Sequence, residues 1–308
     1  MTEFEIAPIG PFSLAAAQDF AGGFTAGIGG GGVEGSSIVM SFPVEGRNVS
    51  AAVELHQDAS GRIVGASDAD ADVLPGVIRQ ASRSLSLDHD GSGWPGVGER
   101  DAVIGRAQET YRYLRPVCFY SAYEAATSFV IGQRISMRQS GRIKERLRES
   151  AGDRPTVDGR EYPAFPRPEQ LLELKEMPGV SAQKVTWLYG IAEAALEGRL
   201  DTAALRAMPR DEALAALRSI PGIGPWTAEA IRLRGCGVAD ELPENEEASL
   251  RAATALYDRP SIDREEFNGL AEAWRPYRMW AVVLLRVAWN RSSPGGSYRM
   301  RVPTTIPE

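Results

Sequence analysis

The stretch Leu217-Arg-Ser-Ile-Pro-Gly-Ile-Gly-Pro-Trp-Thr-Ala228 restricts this chain more than any other. Pro221 stops a preceding helix, because its ring clashes with the carbonyl one turn back. Pro225 opens the next helix in the first-turn position, where its missing N–H costs nothing. Between them Gly222 and Gly224 permit positive φ and leave no side chain between backbone and ligand, while Ile220 and Ile223 pin the turn on apolar packing. The segment therefore reads as a helix, a tight turn over Pro221–Gly224 and a second helix. The bare N–H groups of the turn, with the positive end of the second helix, form an anion site sized for a phosphate. A generic helical hairpin needs a glycine but not this full pattern. A fainter echo, Met177-Pro-Gly-Val-Ser181, lies between two other helical runs and lacks the second glycine.

From about residue 100 onward the apolar spacing predicts only helices: 100–113, 120–132, 136–149, 168–176, 181–197, 210–219, 225–235, 247–257, 263–273 and 276–290. In front lie short β-type runs at Ile38–Pro43, Ala51–Gln57 and Arg62–Ala66, with a hairpin turn at Asp58–Gly61 and helical spacing over Asp72–Leu87. The expected fold is thus an α+β N-terminal domain over 1–105, a small antiparallel sheet with helices, followed by an all-α core over 106–290. Residues 291–308 contain Pro-Gly-Gly without a hydrophobic period and read as a C-terminal tail. Asp153–Pro168, with four prolines, reads as an extended connector. The glycine-rich run Gly27–Gly35 lacks the G-x-x-x-x-G-K-[ST] pattern and reads as a loop or hairpin rather than a phosphate cradle.

Composition removes several kinds of chemistry. Cys118 and Cys236 are too few for a disulfide framework, a four-thiolate zinc site or an iron–sulfur cluster. Only His56 and His89 are present, so acid–base work rests on carboxylates. No apolar run is long enough for a membrane span and no N-terminal segment reads as a signal peptide. The expectation is a cytoplasmic protein, nucleoid-associated if bacterial, and a monomer, since no heptad pattern asks for a partner. The net charge of −7 hides a segregation. Residues 1–105 hold 14 acids and 5 bases, whereas residues 106–308 hold 27 acids and 29 bases. Arg134, Arg138, Arg142, Lys144, Arg146 and Arg148 cluster against the single acid Glu145. Such a run is either a solvated helix face or a phosphate contact.

Three further segments occur in a telling order with the hairpin: Ile131-Gly-Gln-Arg-Ile-Ser136, Leu233-Arg-Gly235 and Ala271-Glu-Ala-Trp-Arg-Pro-Tyr-Arg-Met-Trp-Ala281. Together they resemble the helix-hairpin-helix (HhH-GPD) DNA glycosylase superfamily, in its 3-methyladenine DNA glycosylase II (AlkA) branch, over residues 106–290. That branch also carries a small α+β unit in front. The resemblance implies two helical subdomains around a cleft, double-stranded DNA containing damaged bases as partner, and excision of a flipped base in base excision repair. It places Pro221, Gly222, Ile223, Gly224 and Thr227 on the DNA backbone, and Gln133, Arg134 and Ile135 in the minor groove. There an apolar side chain after the Gln would wedge into the gap left by the flipped base. Arg134 stands at that place with Ile135 adjacent, and an arginine can fill the gap by stacking or bind a phosphate. The resemblance further implies a monovalent cation, Na⁺ or K⁺, on hairpin carbonyls near Ile220 and Ile223, with no other cofactor.

Glycosylases of this superfamily that also nick the strand carry a lysine second after the last hairpin glycine. Here that position is Trp226, which implies a monofunctional N-glycosidase without lyase activity. A cationic alkylated purine is already a good leaving group, so the protein needs chiefly to flip it, stack it and stabilise an oxocarbenium-like sugar. Trp226, with Tyr277 or Trp280, offers ring faces for a cationic base. The family places its catalytic Asp at the next helix start, but the chain reads Asp240-Glu-Leu-Pro-Glu-Asn-Glu-Glu-Ala-Ser-Leu-Arg251. Counting three residues back from Leu250, taken as the first buried apolar residue of that helix, selects Glu247. Counting from Pro243 selects Asn245, and Glu246 lies between. The absent Asp keeps open an alternative, a damage-binding homologue that has lost catalysis.

Overall fold

The structure, a computed structural model, describes residues 1–23, 33–34 and 37–292. The tail expected after 292 and all of the glycine-rich run except Val33 and Glu34 lie outside the described residues. Five antiparallel strands make the N-terminal sheet, β1 (Thr2–Ile6), β2 (Val33–Glu34), β3 (Ser37–Pro43), β4 (Ser50–Gln57) and β5 (Ile63–Ser67), in the order β1-β5-β4-β3-β2. The Asp58–Gly61 turn joins β4 to β5 as expected: the Asp58 carboxylate accepts N–H bonds from Ser60 and Arg62 at 2.8 and 3.0 Å. Helices α1 (Leu14–Gly23) and α2 (Leu74–Ser84) pack on the sheet.

The helix expected over 100–113 forms as α4 (Ala102–Thr110), and a further short helix, α3 (Pro95–Arg100), precedes it. Asp101 separates the two by taking extended φ and ψ (−139°, 107°) and capping α4, its carboxylate accepting from the N–H groups of Val103 and Ile104. The connector is not wholly irregular either. Within it β6 (Thr156–Val157) and β7 (Arg160–Glu161) form a small hairpin, because Val157 buries against Val39 and Ala52 on the sheet.

The remaining helices are α5 (Ala122–Gly132), α6 (Met137–Ala151), α7 (Pro168–Glu173), α8 (Ala182–Leu196), α9 (Thr202–Ala207), α10 (Arg210–Arg218), α11 (Pro225–Ala230), α12 (Glu247–Leu256), α13 (Arg264–Ala271) and α14 (Arg278–Ser292). A π-helical turn, Ile231–Gly235, continues α11. Two apolar cores organise them. One runs from the sheet through α2–α4 into α12–α14, with Phe42, Leu55, Ile104, Phe267 and Trp274 at its centre. The other gathers α5–α11 around Ala126, Leu147, Leu188, Leu217 and Ile231. A cleft opens where the cores meet, walled by α5, α6 and α11 on one side and by α14 on the other. Among the described residues no helix is long and apolar enough to cross a membrane.

Candidate active site

The hairpin forms as read, from α10 through the turn into α11. The Ile223 N–H donates to the Ile220 carbonyl at 3.2 Å, and both isoleucines are buried. Gly222 has φ of +88°, and a Cβ there would lie 2.7 Å from Cγ of Trp187, so glycine is required twice over. Gly224 differs from expectation. Its φ of −87° is open to any residue, and a Cβ would meet nothing within 4 Å. Its use is therefore to keep the N-terminus of α11 bare. Pro221 is exposed beside it, and Thr227 is buried with its residue on the cleft wall. The echo at Met177–Ser181 repeats the turn, with Gly179 at φ +88° and Val180 N–H donating to the Met177 carbonyl at 3.0 Å.

A second turn meets the hairpin. Gln133 ends α5, and its Nε2 donates to the Gly222 carbonyl at 3.0 Å. Lys184, at the start of α8, donates Nζ to the carbonyls of Ile131 and Gln133 at 2.8 and 2.5 Å. Burial, and then the charge of Arg134, holds this ammonium below the usual lysine range. Arg134 sits at φ +55°, exposed on the rim of the cleft, whereas Ile135 packs against the α5–α11 core. Both residues line the cleft, and the arginine is the more exposed of the two.

The cleft has a volume of about 1030 Å³. Its apolar wall includes Phe119, Phe129, Trp226, Met279 and Val283. Trp226 is 43% exposed and presents its ring edge-on to Phe129, centroids 5.4 Å apart. Tyr277 and Trp280 are not on this wall. They lie in the first core against Trp94, with ring centroids 5.8 and 5.6 Å from it, and the Tyr277 hydroxyl donates to the Asp90 carbonyl at 2.8 Å. The reason is helical phase. Met279, Val282, Val283 and Arg286 share the face of α14 that lines the cleft, and Trp280 is turned about 100° from Met279.

Among the carboxylates at the start of α12, the structure brings Glu246 to the cleft and leaves Glu247 away from it. The Glu247 side chain is 84% exposed and pairs only loosely, at 3.8 Å, with Arg251 one turn on. Glu246 is the N-cap residue of α12, extended in backbone, and its side chain, 24% exposed, faces the cleft. Its carboxylate accepts from the Arg286 guanidinium and the Ser249 hydroxyl. Asn245 is exposed, and its backbone N–H donates to Glu229 at 2.9 Å. The count from Leu250 and the cleft-facing position differ by one residue because the first buried position of α12 is Ser249, fully covered, and Leu250 is only half-buried. A serine gives no apolar signal of burial.

Sequence reasoning gave no site role to Lys184 or Glu229, charged residues whose partners become visible only once the chain is folded. Glu229 is 3% exposed on the cleft side of α11. The cleft wall carries the cations Arg134, Lys144, Arg234 and Arg286 beside the acids Glu229 and Glu246. Behind it, Glu124 is buried against Lys144 and Arg148, and desolvation holds its carboxyl above the usual range. The Ile220 carbonyl uses one lone pair on Ile223 and retains another. Neutral carbonyl oxygens of this kind fit a monovalent cation.

No family model matches the chain. DNA-3-methyladenine glycosylase 2 of Escherichia coli is 29% identical over 191 residues, 59% of this chain and 63% of that protein, so the alignment spans under two thirds of the relative. DNA-3-methyladenine glycosylase of Bacillus subtilis is 23% identical over 216 residues, 68% of this chain and 71% of that protein. Among solved structures, 3-methyladenine DNA-glycosylase from Archaeoglobus fulgidus superposes with a TM-score of 0.75 at 20% identity, covering 94% of this chain and 98% of its own. The Clostridium acetobutylicum 8-oxoguanine glycosylase/lyase, solved with double-stranded DNA, superposes with a TM-score of 0.58 at 16% identity, covering 85% of this chain and 98% of its own.

Proposed function

Because the chain belongs to the helix-hairpin-helix DNA glycosylase superfamily, in its 3-methyladenine DNA glycosylase II branch, we propose that it excises alkylated purines of the 3-methyladenine type from double-stranded DNA. The observation that carries this reading is the meeting of the phosphate-ready hairpin, Trp226 and the Glu246 carboxylate around one cleft. The N–H groups of Gly222 and Gly224 grip a backbone phosphate next to the lesion, with a monovalent cation on the Ile220 and Ile223 carbonyls strengthening that grip. Gln133, tied to the hairpin, brings Arg134 to the duplex, where the arginine fills the space the extruded nucleotide leaves. The flipped base enters the cleft and stacks on Trp226, whose ring face attracts its positive charge.

Alkylation has already weakened the N-glycosidic bond, so bond breaking leads and water follows. Glu246 stabilises the positive charge that develops on the sugar, and water completes the hydrolysis. Arg286 and Ser249 hold the carboxylate in place. Trp226 stands at the hairpin position where a lysine would attack the sugar, so we assign a monofunctional enzyme, acting as a monomer. The damage-binding alternative drew its support from the absent Asp, and a Glu at the helix start answers that absence.

The test is a chemical assay. Methylated duplex incubated with the protein is expected to yield free 3-methylpurine and alkali-sensitive abasic sites, with no protein–DNA adduct trapped by borohydride. Binding is expected to weaken steeply with salt, as phosphate contacts require. Tight lesion binding without base release would overturn the enzyme reading, and salt-independent behaviour would overturn the DNA reading.

A further inference from the structure

Between the π-helical turn and α12 the chain has no helix or strand, yet this segment delivers Glu246. It is held from several sides. Glu229 lies one helical turn beyond Trp226 on α11, and its buried carboxylate accepts the backbone N–H groups of Glu244 and Asn245 at 3.2 and 2.9 Å. The same carboxylate takes Nη2 of Arg210 at 2.9 Å. Arg210 also reaches Glu241 at 2.9 Å, and Arg232 holds Glu241 through Nε and Nη2. From the opposite flank Arg264 donates to the Pro243 carbonyl at 2.9 Å.

A buried carboxylate is tolerated only when its lone pairs are filled by strong donors, and here two main-chain N–H groups and a guanidinium fill them. The donors are informative. Glu244 and Asn245 are the two residues before Glu246, so whatever fixes their amides fixes the origin of the Glu246 side chain. Glu229 itself rides on the helix whose N-terminus meets the phosphate.

We infer that Glu229 is a positioning residue, which transmits the placement of the hairpin helix to the loop carrying Glu246 and so sets that carboxylate against the sugar. The inference rests on the reading of Glu246 as the acting carboxylate. Hairpin, Glu229 and loop then form one rigid unit: the phosphate grip and the position of the carboxylate are set together. A displacement of about 1 Å at a reacting group is worth ~100-fold in rate. Loosening the loop is therefore expected to lower excision without weakening DNA binding.

The experiment compares the unaltered protein with Glu229→Gln, Glu246→Gln and the double variant. Its readouts are single-turnover release of 3-methylpurine, affinity for duplex carrying an uncleavable tetrahydrofuran abasic analogue, and thermal unfolding. In Glu229→Gln the amide oxygen can satisfy one N–H, but the amide nitrogen faces the other. Excision is expected to fall roughly 10- to 100-fold, with affinity for the analogue essentially unchanged. In the Glu246→Gln background the same change is expected to have no further effect, because Glu229 acts through Glu246. Should Glu229→Gln unfold, Arg264→Met loosens the same loop from its other flank and carries the same expectation. Unchanged excision in a folded variant, a loss of excision matched by loss of affinity, or an undiminished effect in the Glu246→Gln background would each overturn the inference while leaving the proposed function standing. Absence of base release from the unaltered protein would overturn the proposed function and this inference with it, whereas full release by Glu246→Gln would overturn the assignment of Glu246 and this inference while leaving excision standing.

Discussion

At the scale of single residues, the proposed chemistry depends on two side chains whose legibility in the sequence differed. Trp226 could be placed because it follows Gly224 and Pro225 in a turn whose geometry is local, and the structure sets it exposed on the cleft wall. Which carboxylate faces the cleft could not be read, because the register of α12 depends on the tertiary burial of Ser249, a residue with no apolar signature. Tyr277 and Trp280 misled for a related reason. Both are aromatic and near the cleft in sequence order, but Tyr277, just before α14, and Trp280, on the face of α14 turned from the cleft, pack into the core around Trp94. Replacing Trp226 by Ala is accordingly expected to leave thermal stability nearly unchanged while lowering single-turnover excision. Base–aromatic stacking is worth about 1–3 kcal/mol, so the loss should be ~5- to 100-fold. Excision unaffected by Trp226→Ala would mean that the base stacks elsewhere.

At the scale of elements, the hairpin was legible because proline and glycine act through local sterics that no tertiary context can hide. The individual uses of its two glycines were not, since they depend on what lies nearby. Gly222 is pressed against Trp187 at positive φ, whereas Gly224 faces open space. The pair separates folding from binding. Gly222→Ala is expected to cost ~1–3 kcal/mol of stability through left-handed backbone strain and the steric conflict with Trp187, read as a shift in denaturant midpoint. Gly224→Ala should fold with unchanged stability and bind duplex DNA more weakly, because its methyl occupies the space next to the phosphate. Equal stability in both variants would contradict the assigned geometry. The break between α3 and α4 and the hairpin β6–β7 escaped the sequence reading for the opposite reason. Asp101 as a cap and Val157 as a covering residue are recognisable only through the partners they find.

At the scale of the molecule, the two cores meet along the cleft, and α4 with α12–α14 shares a core with the N-terminal sheet. The segregation of charge is consistent with this division of labour: the acidic N-terminal third supplies sheet and helices to the first core, and the cations Arg134, Lys144, Arg234 and Arg286 line the cleft. A further consequence concerns pH. His89 is wedged against the edge of Trp280 and beside Arg206, and desolvation above all holds its pKa below the ordinary 6.5. In the window between its depressed folded value and 6.5 the unfolded chain binds more protons than the folded one. Stability contributed by neutral His89 is therefore present above pH 6.5 and lost as pH falls through that window. His89→Gln is expected to flatten the acid-side slope of stability against pH, measured by denaturant unfolding, and an unchanged slope would show that other groups carry it.

The central claim, a glycosylase whose carboxylate is Glu246, is tested most directly by single-turnover release of free base from methylated duplex by Glu246→Gln beside Glu247→Gln, with unfolding curves for each. Removing a group that stabilises charge in the transition state is expected to lower the rate of Glu246→Gln by ~100- to 1000-fold. Glu247→Gln, altering only a solvent-exposed carboxylate, should stay within about twofold of the unaltered protein. The reverse pattern, or equal release by all three proteins, would contradict the account.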